Sequence, residues 1–268
     1  MNRALIAVVL LLGCSGRPVL EKQTRLLMDT YVTVSVLAPR ARARQGIEAV
    51  FRRLEELEQK FNHLDSTSPL YAFNTAGEPV TDSEIVLVVK RAVQVSELSG
   101  GLFDITVEPL VRLWGFYDGR YQIPPTAAIE SCRALVGWRR LIVEDNSLSR
   151  QNPLVTVDLG GVAKGYALAE AAEILRDLKL DSGLVDIGGD IYALGRRQGR
   201  KWRIGIREPR GSGIIGVIEV SDKAVVTSGD YERFFIGEDS VRYSHIIDPR
   251  TGAPAPGVMS VTVVHDDP

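Results

Sequence analysis

DLGGVAKGYA, Asp158–Ala167, places a carboxylate, two adjacent glycines and a lysine within seven positions and then turns helical. Adjacent glycines permit a tight bend and let a ligand approach the backbone closely. The helix that follows aims its free N–H groups back at that bend, which suits phosphate. Asp158 and Lys164 bring opposite charges to the same place. Taken alone, the run reads equally as a strand-to-helix turn with a surface lysine. It lacks the GxxxxGK[ST] spacing of a Walker loop and the GxGxxG dinucleotide fingerprint.

Working outward, Gly165 to Leu180 carries Leu168, Ala171, Ala172, Leu175 and Leu178 at helical spacing. Upstream, Thr30 to Val36 reads as a strand. Arg42 to Phe61 reads as an amphipathic helix with Ile47, Val50, Phe51, Leu54, Leu57 and Phe61 on one face. Its Arg/Glu face is a solvated surface. Asp82 is placed to cap a helix that runs to about Ser99 and stops at Gly100. Thr126 is placed to cap another, with Glu130 near the capping-box position. Downstream, strands are expected at Leu184–Ile187, Ile191–Leu194, Trp202–Ile206, Ile215–Val220, Ala224–Thr227, Arg233–Ile236, Tyr243–Ile247 and Val258–Val264. Helices early and strands late predict an α+β fold of mixed helices and antiparallel strands in a single large domain.

The 268 residues are 45% hydrophobic and 25% charged, as in ordinary globular proteins. A net charge of −2 gives no reason to expect nucleic-acid binding, although a local site can still take an anion. Arg3 followed by the apolar run Ala4–Leu12 reads as a signal peptide over residues 1–13, too short to span a bilayer. Leu11-Leu12-Gly13-Cys14 resembles the bacterial lipobox, with Cys14 the lipidated residue; the alternative is a signal with an incidental cysteine. Residues 14–23 would then be a tether and 24–268 the domain. The expected location is that of an exported lipoprotein, anchored to a membrane and facing the periplasm or cell exterior. Cys132 is left without a partner, so no internal disulfide is expected.

Six clusters carry the candidate chemistry. Met28-Asp29-Thr30 opens the first strand. Asp65-Ser66 is followed by Ser68, Leu70 and Asn74. In Ser99–Phe116, Phe103 and Asp104 follow two glycines, an aromatic beside an acid that can stack on and hydrogen-bond a ring. Core packing explains Phe103 and Trp114 equally well. The opening run is the fourth. In Gly183–Gly195, Asp186 and Asp190 flank Gly188-Gly189, which a bulge or hairpin also explains. In Thr227–Gly257, the polar residues Thr227, Ser228, Asp230 and Tyr231 precede His245, Asp248, Arg250 and Thr251. His245 is expected on a short strand with a turn beyond it. A lone histidine is more often structural than catalytic.

Together, GGLFDITVEPLVRLWGF, VDLGGVAKGYA, VDIGGDIYALG, TSGDYERFF and YSHIIDPRTGAPAPG, in this order, closely resemble the FAD:protein FMN transferase (ApbE) family across about Met28 to Val264. The resemblance implies an ApbE-like, T-fold-related domain. It implies a magnesium-dependent enzyme that cleaves the diphosphate of FAD, passes FMN to a Ser or Thr hydroxyl of an exported flavoprotein and releases AMP. By the same resemblance Met28, Leu102, Phe103, Asp104, Asp158 and Lys164 contact FAD. His245 and Ile246 bind it near the reacting group, and the Gly161 carbonyl is a magnesium ligand. His245, if neutral, is the catalytic base for the incoming hydroxyl, with Asp248 orienting it. A non-catalytic flavin-binding lipoprotein and an FAD pyrophosphatase are the alternatives. Two departures stand out. Leu64, beside His63, falls where the family carries an aromatic, so flavin stacking is weaker or His63 substitutes. The family also continues through an Asp-Ala-Leu-Ala-Thr-like segment supplying metal ligands; Asp266 and Asp267 do not match it, so the expectation is a fragment with the remaining ligands beyond Pro268.

Overall fold

In a computed structural model, residues 16–268 are described; the signal run and Cys14 lie outside the described residues. In chain order the elements are β1 (Val19–Leu27), β2 (Thr30–Ala38), α1 (Arg40–Phe61), α2 (Pro69–Ala76), α3 (Ser83–Leu98), α4 (Glu108–Leu113), α5 (Thr126–Arg133), β3 (Leu141–Val143), β4 (Leu148–Arg150) and α6 (Ala163–Asp177). Then follow β5 (Ser182–Ile187), β6 (Asp190–Gly195), β7 (Trp202–Arg207), β8 (Ile214–Val220), β9 (Lys223–Gly229), β10 (Phe234–Ile236), β11 (Arg242–Ser244), β12 (Ile247–Asp248), β13 (Ala253–Pro254) and β14 (Ser260–His265). This is the α+β fold expected. A six-stranded sheet, ordered β1-β2-β5-β6-β9-β14, forms its centre. Every neighbouring pair in it is antiparallel.

The period-2 pattern of β2 buries Val32, Val34 and Val36 completely. α1 meets the sheet with Ile47, Val50, Phe51, Leu54 and Leu57, and α6 packs beside it through Ala167, Leu168, Ala171, Ala172 and Leu175. A Cβ at Gly46 would come within 2.3 Å of Leu180 Cδ1, so glycine there lets the α1 backbone approach that close. The β7–β8 hairpin forms a second small core, with Trp202, Ile204 and Val220 against Ala193 and Val225. α1 ends, and α6 begins, at the sheet end where the β1–β2 and β5–β6 turns lie.

Three sequence expectations need correction. Val19 to Gln23, assigned to the tether, belong to β1, which pairs along β2 as an edge strand with alternately exposed and half-buried side chains. Thr126 is the first helical residue of α5 and not its cap: Pro125 holds that position, and Glu130 pairs with Arg133. Tyr243–Ile247 is not one strand, because the chain leaves β11 at Ser244 and re-enters β12 at Ile247. By contrast Asp82 does cap α3, accepting the Glu84 and Ile85 N–H groups.

Charge ties the helices together where they converge. Glu84, in the first turn of α3, pairs with Arg53 and Lys60 of α1 and accepts the Tyr166 hydroxyl at 3.0 Å. Arg53 also reaches Glu170 of α6 at 2.8 Å. Burial alone would raise the Glu84 carboxyl, but hydrogen bonds from Arg53, Lys60 and Tyr166 outweigh it and hold the group at about 2. A depressed acid stabilises the fold above its ordinary value of 4.5, and that contribution disappears as pH falls toward 2. Glu84→Gln should therefore destabilise the protein at pH 7, and urea melts at pH 3 should show a much smaller gap from the parent.

Candidate active site at one end of the sheet

The β1–β2 connection is a two-residue turn in which Met28 and Asp29 both have positive φ, 53° and 56°. That geometry matches the right-handed twist of the flanking strands. Glu58, near the end of α1, accepts the Met28 N–H at 2.7 Å. The β5–β6 turn lies alongside, and the Gly188 N–H donates to the Tyr31 carbonyl at 3.1 Å. A Cβ on Gly188, where φ is 62°, would sit 2.5 Å from Thr30 Oγ1, so a side chain is excluded. Asp186 accepts the Gly189 N–H at 2.8 Å. Burial, followed by the charge of Asp190, pushes the Asp186 carboxyl above the usual range.

Lys164, in the first turn of α6, pairs with Asp190, whose buried carboxylate also accepts the Thr227 N–H at 3.2 Å. This pair joins DLGGVAKGYA to VDIGGDIYALG and to the end of β9. It also separates the two charges of the opening run. Asp158 instead accepts the Tyr117 hydroxyl at 2.6 Å and the Gly160 N–H at 2.7 Å. α6 follows Val162, which gives no side-chain cap, and has no acid in its first turn; the Ala163 N–H donates to the Leu159 carbonyl at 2.8 Å.

Phe103 lies against the same bend, its Cε2 only 3.0 Å from where a Gly161 Cβ would be. Leu102 beside it is 52% exposed. Asp104 is turned inward. It is buried and accepts from the Thr106 N–H at 2.8 Å, the Thr106 hydroxyl at 2.6 Å and the Trp138 N–H at 3.0 Å. Its carboxylate shapes the loop and does not face outward beside Phe103.

His245 sits in the irregular step between β11 and β12. Its N–H donates to the Arg233 carbonyl at 3.0 Å, and its Nδ1 lies 3.1 Å from the same oxygen. A carbonyl only accepts, so the proton belongs on Nδ1 and the lone pair on Nε2. Burial pushes the imidazole below its usual value, and the Arg233 and Lys164 charges push the same way, so it is neutral at pH 7. Asp248 does not orient the ring. Its carboxylate takes the Arg250 N–H at 2.9 Å and the Arg250 guanidinium at 2.7 Å and 3.0 Å. The Arg233 carbonyl has the orienting role, and the Arg233 side chain reaches toward Asp29, 3.9 Å away. The Ile246 carbonyl accepts the Ala255 N–H at 2.8 Å, folding the chain back toward β13.

An aromatic stack secures this segment. Trp114 and Tyr243 have ring centroids 5.3 Å apart, Tyr243 and Phe235 5.2 Å, and Phe235 and Tyr121 5.4 Å. The Trp114 indole N–H donates to the Gly252 carbonyl at 2.9 Å. Phe116 presents an edge to His245 with centroids 6.4 Å apart. Sequence reasoning missed Tyr117 and Arg233 as site residues; no spacing signal marks either one.

The loops thus gather at one end of an antiparallel sheet the start of α6, the Lys164–Asp190 pair and a histidine whose Nε2 is free to accept a proton, groups able to meet an anionic substrate and to move a proton. The chain belongs to the ApbE family, whose model matches residues 28–268. It is 40% identical over 222 residues to a protein of Vibrio cholerae described as an FAD:protein FMN transferase, a match covering 80% of this chain and 66% of that relative. A Treponema pallidum protein of the same description is 34% identical over 268 residues, covering 91% of this chain and 74% of the relative. The crystal structure of the ApbE protein from Thermotoga maritima superposes with a TM-score of 0.88 at 35% identity, covering 92% of this chain and 82% of that one.

Proposed function

We propose that this chain transfers the FMN half of FAD to a Ser or Thr hydroxyl of an exported acceptor protein and releases AMP. One observation carries the reading: His245 is neutral, its tautomer is set by the Arg233 carbonyl, and it lies within the electrostatic reach of Lys164. The acceptor oxygen bonds to the phosphorus of the FMN half as the bond from that phosphorus to the bridging oxygen breaks. AMP leaves with the electron pair, and the hydroxyl proton passes to His245 Nε2. Phosphoryl transfer of this kind depends mainly on positioning and charge neutralisation. In this reading Lys164, released in part from Asp190, and the start of α6 would meet the diphosphate. Met28, Leu102, Phe103, Asp158 and Ile246 would hold the rest of the nucleotide, with Asp104 acting through the shape of its loop.

Magnesium, when bound, supplies neutralisation of diphosphate charge. Gly161 is the one residue assigned to it. Among the described residues no group of three or more Asp, Glu, His or Cys is placed to hold a metal ion. These residues alone do not complete a magnesium site, and no step above depends on one. Attachment through Cys14 and export to a membrane surface belong to the same proposal and rest on the N-terminal sequence.

The test is incubation of the protein with FAD, magnesium and an exported flavoprotein acceptor. Covalent flavin on a Ser or Thr supports transfer. Free FMN and AMP without it points to hydrolysis, and bound but uncleaved FAD points to a binding protein. The pH profile adds an independent check. The base form exists above the His245 pKa, which burial pushes below its usual value, so the rate should fall only at a pH more acid than that at which a free imidazole titrates. A fall centred above pH 7 would contradict the neutral His245.

A further inference from the structure

The sheet end opposite the site is strongly basic. Strand registers bring Val19, Ala38, Ser182 and Gly195 together there, with Val19 opposite Ala38, Val36 opposite Gly183 and Ser182 opposite Gly195. Two basic segments leave this end. α1 opens with Arg40, Arg42 and Arg44, all exposed. The β6–β7 link carries Arg196, Arg197, Arg200 and Lys201, also exposed. That link is a tight hairpin. Gln198 and Gly199 turn at positive φ, 51° and 81°, and Arg197 and Arg200 exchange backbone hydrogen bonds of 2.9 and 3.0 Å. Among the described residues no carboxylate pairs with any of its four cations. α1 has neither a side-chain cap nor an acid in its first turn, so its arginines add to the positive end of the helix dipole. Acids offset this charge only in part. Glu21 pairs with Arg40 at 2.5 Å and Arg44 at 3.8 Å, Asp266 pairs with Lys223, and Asp177, Asp181 and Asp222 lie in the adjoining turns. A chain of net charge −2 thus gathers positive charge at one end.

We infer that this basic end lies against a membrane, its arginines and lysine meeting the phosphate groups of anionic lipids, and that the site faces away from the bilayer. The inference rests on the proposed attachment through Cys14. Val19 opens β1 five positions after Cys14, and five positions extend at most about 18 Å. β1 then runs nine residues, about 27 Å, toward the site. A lipid on Cys14 therefore holds the basic end near the headgroups and the site far from them. Basic side chains beside a lipid anchor add attraction to anionic lipid. Here they also set orientation, because a short tether alone leaves the domain free to turn. The acceptor then meets the site from the side away from the membrane.

The test uses the lipidated full chain carrying Cys132→Ser, with a fluorophore on Gln198→Cys at the basic turn or on Ser66→Cys beyond the far end of α1. Each protein is placed on vesicles of phosphatidylcholine alone or of an equal mixture of phosphatidylcholine and phosphatidylglycerol, and quenching by spin-labelled headgroups is read. The Gln198 label should be quenched several-fold more on the mixed vesicles than on the neutral ones. That excess should vanish at about 1 M salt, where the Debye length is about 3 Å. The Ser66 label should be quenched little on either. Replacing Arg196, Arg197, Arg200 and Lys201 together with Gln should remove most of the excess, since each such charge contributes about fivefold to partitioning at an anionic surface. Equal Gln198 quenching on the two vesicles, or an excess that salt leaves untouched, overturns the basic face. Flotation reads the anchor separately. A protein that floats with both vesicles keeps its anchor whatever the labels report. One that floats with the mixed vesicles alone is held by the basic face without the anchor, and one that floats with neither overturns both. Should the four-fold variant fail to fold, the lipid and salt comparisons on the Gln198 label decide alone.

Discussion

Replacing His245 with Ala should slow covalent flavin transfer by about 10²–10⁴-fold, the usual contribution of a positioned general base. FAD affinity should change little, because the diphosphate contacts proposed for Lys164 and the α6 N-terminus remain. The asymmetry follows from geometry. His245 is held through its own Nδ1 and N–H on the Arg233 carbonyl, so deleting the imidazole removes a proton acceptor without disturbing the Lys164–Asp190 pair. Single-turnover transfer and a separate FAD titration measure the two effects. Near-normal transfer by the His245→Ala protein would remove His245 from the chemistry. A parallel loss of FAD binding would make it a binding residue.

Trp114→Ala should cost about 3–5 kcal/mol of stability, the range for truncating a large buried aromatic. Trp114 is 2% exposed, donates to Gly252 and stacks on Tyr243, so the substitution opens a cavity and leaves a carbonyl without its partner. The damage should also be directional. Trp114 anchors the β10–β11 hairpin, and His245 follows β11 directly. At temperatures where the variant remains folded, transfer should fall more steeply than FAD affinity. Trp114→Phe, which keeps most of the stack, should lose less of both. Urea midpoints and transfer rates check the two parts, and equal losses of rate and affinity would count against this coupling.

Local signals carried well where local physics decides. The apolar stripe of α1, the Asp82 cap and the alternating valines of β2 were legible because helix and strand periods follow from the chain itself. β1 carries no strand period, because its middle from Glu21 to Arg25 is continuously polar next to a signal-like segment, and only pairing with β2 fixes it as a strand. The site was legible as a set of loops and not as a set of contacts. Asp158 and Lys164 look like partners six positions apart, yet each finds another group far along the chain, Tyr117 and Asp190. Asp248 looked like the group orienting His245 because it lies three residues away. The turn from Pro249 to Gly252 folds that carboxylate onto Arg250 and leaves a main-chain carbonyl to hold the ring. Interactions with backbone oxygens carry no residue signature, so sequence cannot announce them.

The neighbouring hairpin tips at Met28-Asp29 and Gly188-Gly189 have an evolutionary corollary. They are spaced by the interstrand hydrogen-bond lattice, close to 4.8 Å per strand, and by no side chain of their own. Substitutions along the strands can accumulate without moving the tips relative to each other. Gaining or losing a single residue within β2 or β5 would invert which face every later side chain occupies and shift the tip out of line. Length variation in functional descendants should therefore collect in the connections at the opposite end of the sheet, such as the β6–β7 and β8–β9 links.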